Sequence, residues 1–99
     1  MDAKIEGYTR RREEVLARVR KILIDRLHVR KEPNEIDPDT TLFGSGLGLD
    51  SVDTVELMVA CEAEFGVRIT SDSIGRTRLR TVNTVVDLVM SRDEIPHGS

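Results

Sequence analysis

Apolar residues recur at helical spacing in three stretches of the chain. From 5 to 28, Ile5, Tyr8, Val15, Leu16, Val19, Ile22, Leu23 and Leu27 fall three, four and seven apart, with Arg, Lys and Glu between them. That spacing predicts a long amphipathic helix, weakened in its first turn by Gly7. A second helix is expected over 51–65, with Asp50 as its N-cap and Asp53 adding a carboxylate near its positive end. Gly66 should close it in the left-handed conformation. Behind Thr81, a capping residue, Val82, Val85, Val86 and Val89 repeat at a period of 3.6 with Leu88 among them. Their β-branched content would suit a strand, but the period decides for a helix.

The segments between are read from their breakers. Residues 29–49 form a long connection: Pro33 and Pro38 break any helix, and Asn34, Asp37, Asp39 and three glycines supply turn chemistry. Ile36, Leu42, Phe43, Leu47 and Leu49 are candidate pins holding it to the core. Asp37-Pro38-Asp39 resembles the start of a calcium loop, but Leu42 and Gly48 stand where that frame needs Gly and Glu. Gly44-Ser45-Gly46-Leu47-Gly48 fits neither phosphate-binding glycine pattern; tight turns are the expectation. Val67-Arg68-Ile69 reads as an extended link. Thr70-Ser71-Asp72-Ser73 then offers caps for a brief helical turn through about 77, kept short by Gly75. The expected fold is all-α: one domain over 1–99, a small four-helix bundle of three main helices and a short third one. Residues 1–12 extend the first helix at its N-terminal side, and 91–99 form a frayed tail.

Composition narrows this further. With three aromatic residues and no Trp in 99, the core must be built from Val, Leu, Ile and Met. The net charge of −3 names no partner, but its distribution is uneven. Residues 1–31 carry ten Lys/Arg against five Asp/Glu, whereas 50–65 carry five acids and no base. Residues 66–80 are basic again through Arg68, Arg76, Arg78 and Arg80. The basic outer face of the first helix is read as a solvated face before an anionic-partner site. Cys61 stands alone, so neither an internal disulfide nor a cysteine-rich metal site is expected, and a reduced, cytoplasmic setting follows. No apolar run is long enough to span a membrane, and the charged start lacks a signal-peptide core.

The second helix has two apolar arcs. At 100° per residue, Thr54, Leu57, Met58, Cys61 and Phe65 share one side, the natural core face. Val52, Val55 and Val59 fall on the other, with Ala63 beside them and Glu56 and Glu62 on their flanks. Either the core face is unusually wide, or the valines form an exposed contact surface with an acidic rim.

Ser51 stands where this helix begins. A serine there ordinarily caps an amide, but Asp50 can already do so. A phosphate ester on Ser51 would meet free backbone N–H groups at the favourable end of the helix dipole. As a catalytic nucleophile it lacks a base: the histidines are His28, at the end of the first helix, and His97, in the tail. No G-x-S-x-G elbow is present.

These residues carry a resemblance. Leu49-Asp50-Ser51-Val52-Asp53-Thr54-Val55-Glu56-Leu57, followed by Ala60, Glu62, Glu64-Phe65-Gly66 and Ile69, resembles the second-helix signature of acyl carrier proteins, and the likeness extends over most of 13–90. It implies that Ser51, flanked by Asp50, bears a covalent 4′-phosphopantetheine arm from coenzyme A, installed by a phosphopantetheinyl transferase. The arm's thiol would hold acyl groups as thioesters, so the chain would be a non-catalytic carrier. Asp53, Val55, Glu56, Val59 and Glu62 match the family's partner-recognition positions for acyl-activating, ketosynthase or acyltransferase enzymes. Leu57, Cys61 and Phe65 would lie near an acyl chain entering the core. Apart from the resemblance, a monomer is expected because no hydrophobic surface beyond the valine stripe is evident, and no metal, nucleic acid or membrane insertion is expected.

The chain also departs from the fatty-acid-synthase carriers, which are usually acidic throughout. The arginines of 66–80, the long glycine loop and the N-terminal extension point to a specialised carrier in lipid, fatty-acid or polyketide-type biosynthesis. A peptidyl or aminoacyl carrier is the alternative within the class. A small helical adaptor or nucleic-acid-binding module is the alternative outside it, and leaves the Asp-Ser motif and the valines unexplained.

Overall fold

The computed structural model describes residues 3–70, 72, 74 and 78–93. Helix α1 runs Ala3–Asp25, α2 Ser51–Phe65 and α3 Val82–Asp93, with one 3-10 turn at Pro33–Glu35. Among the described residues the only β-type pairing is an isolated antiparallel bridge between Thr41 and Thr81. The all-helical class expected from the periodicities is therefore the class observed.

Helix α1 packs against both other helices, and α2 meets α3 along a shorter line. The common core takes Val15, Val19 and Leu23 from α1, Leu57 and Cys61 from α2, and Val82, Val85, Val86 and Val89 from α3, all fully buried. Burying one such aliphatic side chain stabilises by roughly 1.5–3 kcal/mol. Isolated helices as short as α2 and α3 are marginal in water, so this shared face holds them.

The boundaries differ from expectation in physically simple ways. Helix α1 stops at Asp25, short of 28, because the chain reverses at His28, whose φ is 59°. The Val29 amide then donates back to the Leu23 carbonyl at 3.0 Å. At the other end, α3 continues through Asp93, so residues 91–93, expected in the tail, are helical. The rest of that tail lies outside the described residues, as do 71, 73 and 75–77 of the expected short helix. Asp72 and Ile74 are helical, and the Ile74 amide reaches the Thr70 carbonyl at 3.0 Å.

The long connection is pinned, though not by every residue expected. Ile36, Leu42 and Leu49 are buried and Leu47 packs against the core. Phe43 does not: it sits at a turn and remains 37% exposed. Pro33, expected only to break helix, opens the 3-10 turn, where its missing N–H goes unnoticed. Backbone bonds tie the connection to the start of α3, from Leu42 to the Arg80 carbonyl (2.8 Å) and from Asn83 to the Pro38 carbonyl (2.8 Å). Gly46 is required by close approach, since a Cβ there would collide with the carbonyl and hydroxyl oxygens of Thr41.

Much of the basic face of α1 is used internally. Arg12 pairs with Asp87 at 2.6 Å and donates to the Asn83 side-chain oxygen at 3.1 Å. Arg20 donates to the Ile36 carbonyl at 2.9 Å, fixing the connection onto α1. Arg18 lies 3.7 Å from Glu64 and its guanidinium sits 5.9 Å from the centre of the Phe65 ring. These arginines bind helix to helix and helix to loop.

Candidate functional site

The loop over 41–49 closes on itself before α2 begins. The Leu47 amide donates to the Thr41 carbonyl at 2.8 Å and the Leu49 amide to the Leu42 carbonyl at 2.9 Å. With Leu49 buried, the chain is delivered at Asp50 in an extended conformation, φ −104° and ψ −174°. That is the geometry of an N-cap. An Asp50 carboxylate oxygen accepts the Asp53 amide at 2.8 Å, and Asp53 in return accepts the Asp50 amide at 3.1 Å. The Asp50 carbonyl accepts both the amide and the hydroxyl of Thr54, each at 3.0 Å.

This leaves Ser51 at the first helical position with its hydroxyl unoccupied by the fold. Its side chain is exposed and makes no hydrogen bond with the described residues. The Ser51 and Val52 amides likewise find no acceptor, as expected for the first N–H groups of a helix. An exposed hydroxyl, two free N–H groups and the positive end of a 15-residue helix fit a phosphate ester, whose oxygens would accept from those amides. No hydrogen bond joins Ser51 to His28, and His97 lies outside the described residues.

The two arcs of α2 separate cleanly. Leu57, Met58 and Cys61 are buried together with Ala60, a core residue the arc assignment left out. Phe65 and Thr54 are half-buried. The opposite arc is surface: Val52 is 71% exposed, Val55 64% and Val59 54%, and Glu56 and Ala63 are exposed beside them. The wider-core alternative is thereby excluded.

The acids on this side divide by use. Glu56 is exposed. Asp53 is half-buried and engaged in the cap, and half-buried Glu62 accepts the Ile69 amide at 2.8 Å. Neither internal bond could be read from spacing alone. Val52 is more exposed than Val55 and Val59 and lies on the same arc.

Beneath the surface, burial, helped by the negative charge of Glu64, pushes the Cys61 thiol from 9.0 up to about 12. Among the described residues no helix is long and apolar enough to cross a membrane.

Three comparisons bear on this arrangement. Residues 17–89 match the protein family described as the phosphopantetheine attachment site. An acyl carrier protein from Thermosynechococcus vestitus is 37% identical over 79 residues, which cover 80% of this chain and 91% of that protein. The crystal structure of an acyl carrier protein from Thermotoga maritima superposes with a TM-score of 0.64 at 25% identity, covering 82% of this chain and 88% of that one.

Proposed function

The chain belongs to the phosphopantetheine-attachment family of acyl carrier proteins, and on that premise we propose that Ser51 is the residue that bears the 4′-phosphopantetheine arm. The observation that carries this reading is the division of labour at the start of α2. Asp50 caps the helix, so the Ser51 hydroxyl is exposed and free to be esterified. In loading, the Ser51 oxygen attacks the pyrophosphate of coenzyme A on a transferase that holds Mg²⁺. A new phosphate ester forms, the phosphoanhydride bond breaks, and adenosine 3′,5′-bisphosphate leaves as the hydroxyl proton passes to the transferase. When bound, the arm supplies a terminal thiol on a long tether, which carries acyl groups as thioesters.

The protein's own residues then present the arm. Val52, Val55 and Val59 offer apolar contact beside the attachment point, and Glu56 gives that face a free negative charge. Asp53 and Glu62 shape the same side while holding their internal bonds. Partners suited to it carry a shallow apolar patch rimmed by Lys or Arg, as acyl-activating, ketosynthase or acyltransferase enzymes would. The arginines at 68, 76, 78 and 80 favour dedicated partners in a specialised cytoplasmic pathway over general fatty-acid synthesis. Residues 1–99 act as one carrier domain, and the chain itself does no chemistry on its cargo.

Intact-mass measurement after incubation with coenzyme A, Mg²⁺ and a broad-specificity transferase tests the proposal. One phosphopantetheinyl addition is expected for the wild-type chain and none for Ser51→Ala. An equal addition to the variant, or none to the wild type with several transferases, overturns it. Parallel loading from acyl and aminoacyl donors separates the acyl carrier from a peptidyl carrier.

A further inference from the structure

Beside the start of α2 lies a cleft of about 420 Å³. One wall is the segment that follows α1, with His28, Arg30 and Lys31; the other is the loop leading into α2, with Gly48 and Leu49, and Asp53 of the helix itself. Where Arg12, Arg18 and Arg20 are taken up by internal bonds, Arg30 and Lys31 are exposed and pair with none of the described residues. The reversal at His28 brings this segment to the cleft. The result is positive charge, paired with none of the described residues, gathered beside the loop that leads into α2.

The cleft's other features select a ligand. Asp53 is its one carboxylate, and that carboxylate is already held by the Asp50 amide at 3.1 Å. Leu27, Leu47 and Leu49 give it an apolar lining. A group that suits it is anionic at one point and branched-aliphatic next to that point. The root of a phosphopantetheine arm has this order: a phosphodiester followed by a carbon bearing two methyl groups. Guanidinium and ammonium groups make their strongest hydrogen bonds to such oxygens.

Taking Ser51 as the attachment residue, we infer that Arg30 and Lys31, with His28 at their side, seat the arm's phosphodiester, and that its methylated carbon rests against the leucines of the cleft. The root of the arm then lies over the loop side of α2 and leaves the valine face uncovered for a partner.

The test uses the arm-loaded full chain, with loading verified by intact mass before any spectrum is taken. The ³¹P resonance of the folded, loaded wild type is expected to differ from the free position, taken as that of the same phosphodiester in the loaded chain unfolded in urea, and to move toward it at about 1 M salt, where the screening length falls to ~3 Å. In Arg30→Gln/Lys31→Gln the resonance is expected at the free position even at low salt. The amides of Val29, Arg30 and Lys31 should shift between unloaded and loaded wild type, and Lys21→Gln, a cation outside the lining of this cleft, should behave as wild type. Unchanged circular dichroism of the double variant shows that its fold is kept. A ³¹P position insensitive to salt and to the double substitution, with no shift at 29–31 on loading, overturns the inference while leaving the attachment at Ser51 intact. Mass addition that fails, or persists in Ser51→Ala, overturns both readings.

Discussion

The carboxylate of Asp50 and the amide of Asp53 lie 2.8 Å apart, and Asp53 returns a hydrogen bond to the Asp50 amide at 3.1 Å. This reciprocal pair secures the start of α2 without any help from the Ser51 side chain. Ser51→Ala is therefore expected to change the unfolding free energy by less than about 0.5 kcal/mol, whereas Asp50→Ala costs about 1 kcal/mol through loss of the cap. Urea denaturation followed by circular dichroism measures both. A larger loss for Ser51→Ala would mean that the hydroxyl caps the helix after all.

Cys61 sets a second expectation. Its thiol is raised to about 12 by burial and by Glu64, so at neutral pH almost none of it is thiolate, the reactive form. A disulfide reagent should find no thiol in the folded, arm-free chain and one after denaturation. The arm-loaded chain should show one in the folded state. The folded value lies above the ordinary 9.0, so the folded state holds this proton more tightly than the unfolded chain does. Its contribution to stability is whole below about pH 9 and is lost as pH rises toward 12, by up to ~1.4 kcal/mol per unit. Comparing melting curves of wild type and Cys61→Ala across that window isolates the effect: the variant's profile should be flatter.

Glu56 and Glu62 look alike in the sequence and should behave differently. Glu62→Ala removes the acceptor of the Ile69 amide and is expected to cost about 1 kcal/mol of stability. Glu56→Ala, at an exposed position with no internal bond, should leave the melting temperature unchanged and slow association with a basic partner. Equal melting temperatures for the two variants would remove the structural role given to Glu62.

Gly46→Ala is expected to be the harshest small change in the loop before α2. The added carbon meets backbone as well as side chain of Thr41, and a backbone neighbour cannot swing aside. A loss of about 1–3 kcal/mol, the usual range for overpacking, should appear in urea denaturation.

The features most legible in the sequence were those set by local chemistry. Asp50 as a cap and Gly66 as a left-handed stop are decided within a few residues, and the structure gives Gly66 a φ of 63°. The valines of α3 were placed by period alone. Less legible was everything that depended on what lay opposite. Phe43 looked like a core residue by type, yet its place at a turn directs it outward. Arg12 and Arg20 read as solvated cations, because their partners Asp87 and Ile36 are distant in sequence. The end of α1 is not legible in the sequence because a histidine, not a glycine, takes the left-handed turn there. In α2, the second valine arc follows from spacing, and that Asp50 leaves the Ser51 hydroxyl without a capping role follows from their places at the helix start. That Arg30 and Lys31 share a cleft with Gly48 and Leu49 does not, since no local pattern records it.

A partner that docks on Val52, Val55 and Val59 meets stiff side chains with no aromatic among them. Branching at Cβ leaves each valine few rotamers to give up, so little ordering is demanded on contact. The large anchors that dominate long-lived complexes, chiefly Trp, Tyr and Arg, are absent from the stripe. Such a face favours brief encounters, with affinity limited by fast dissociation. On the proposed function, in which the carrier hands its cargo to partner enzymes, quick release would matter as much as recognition.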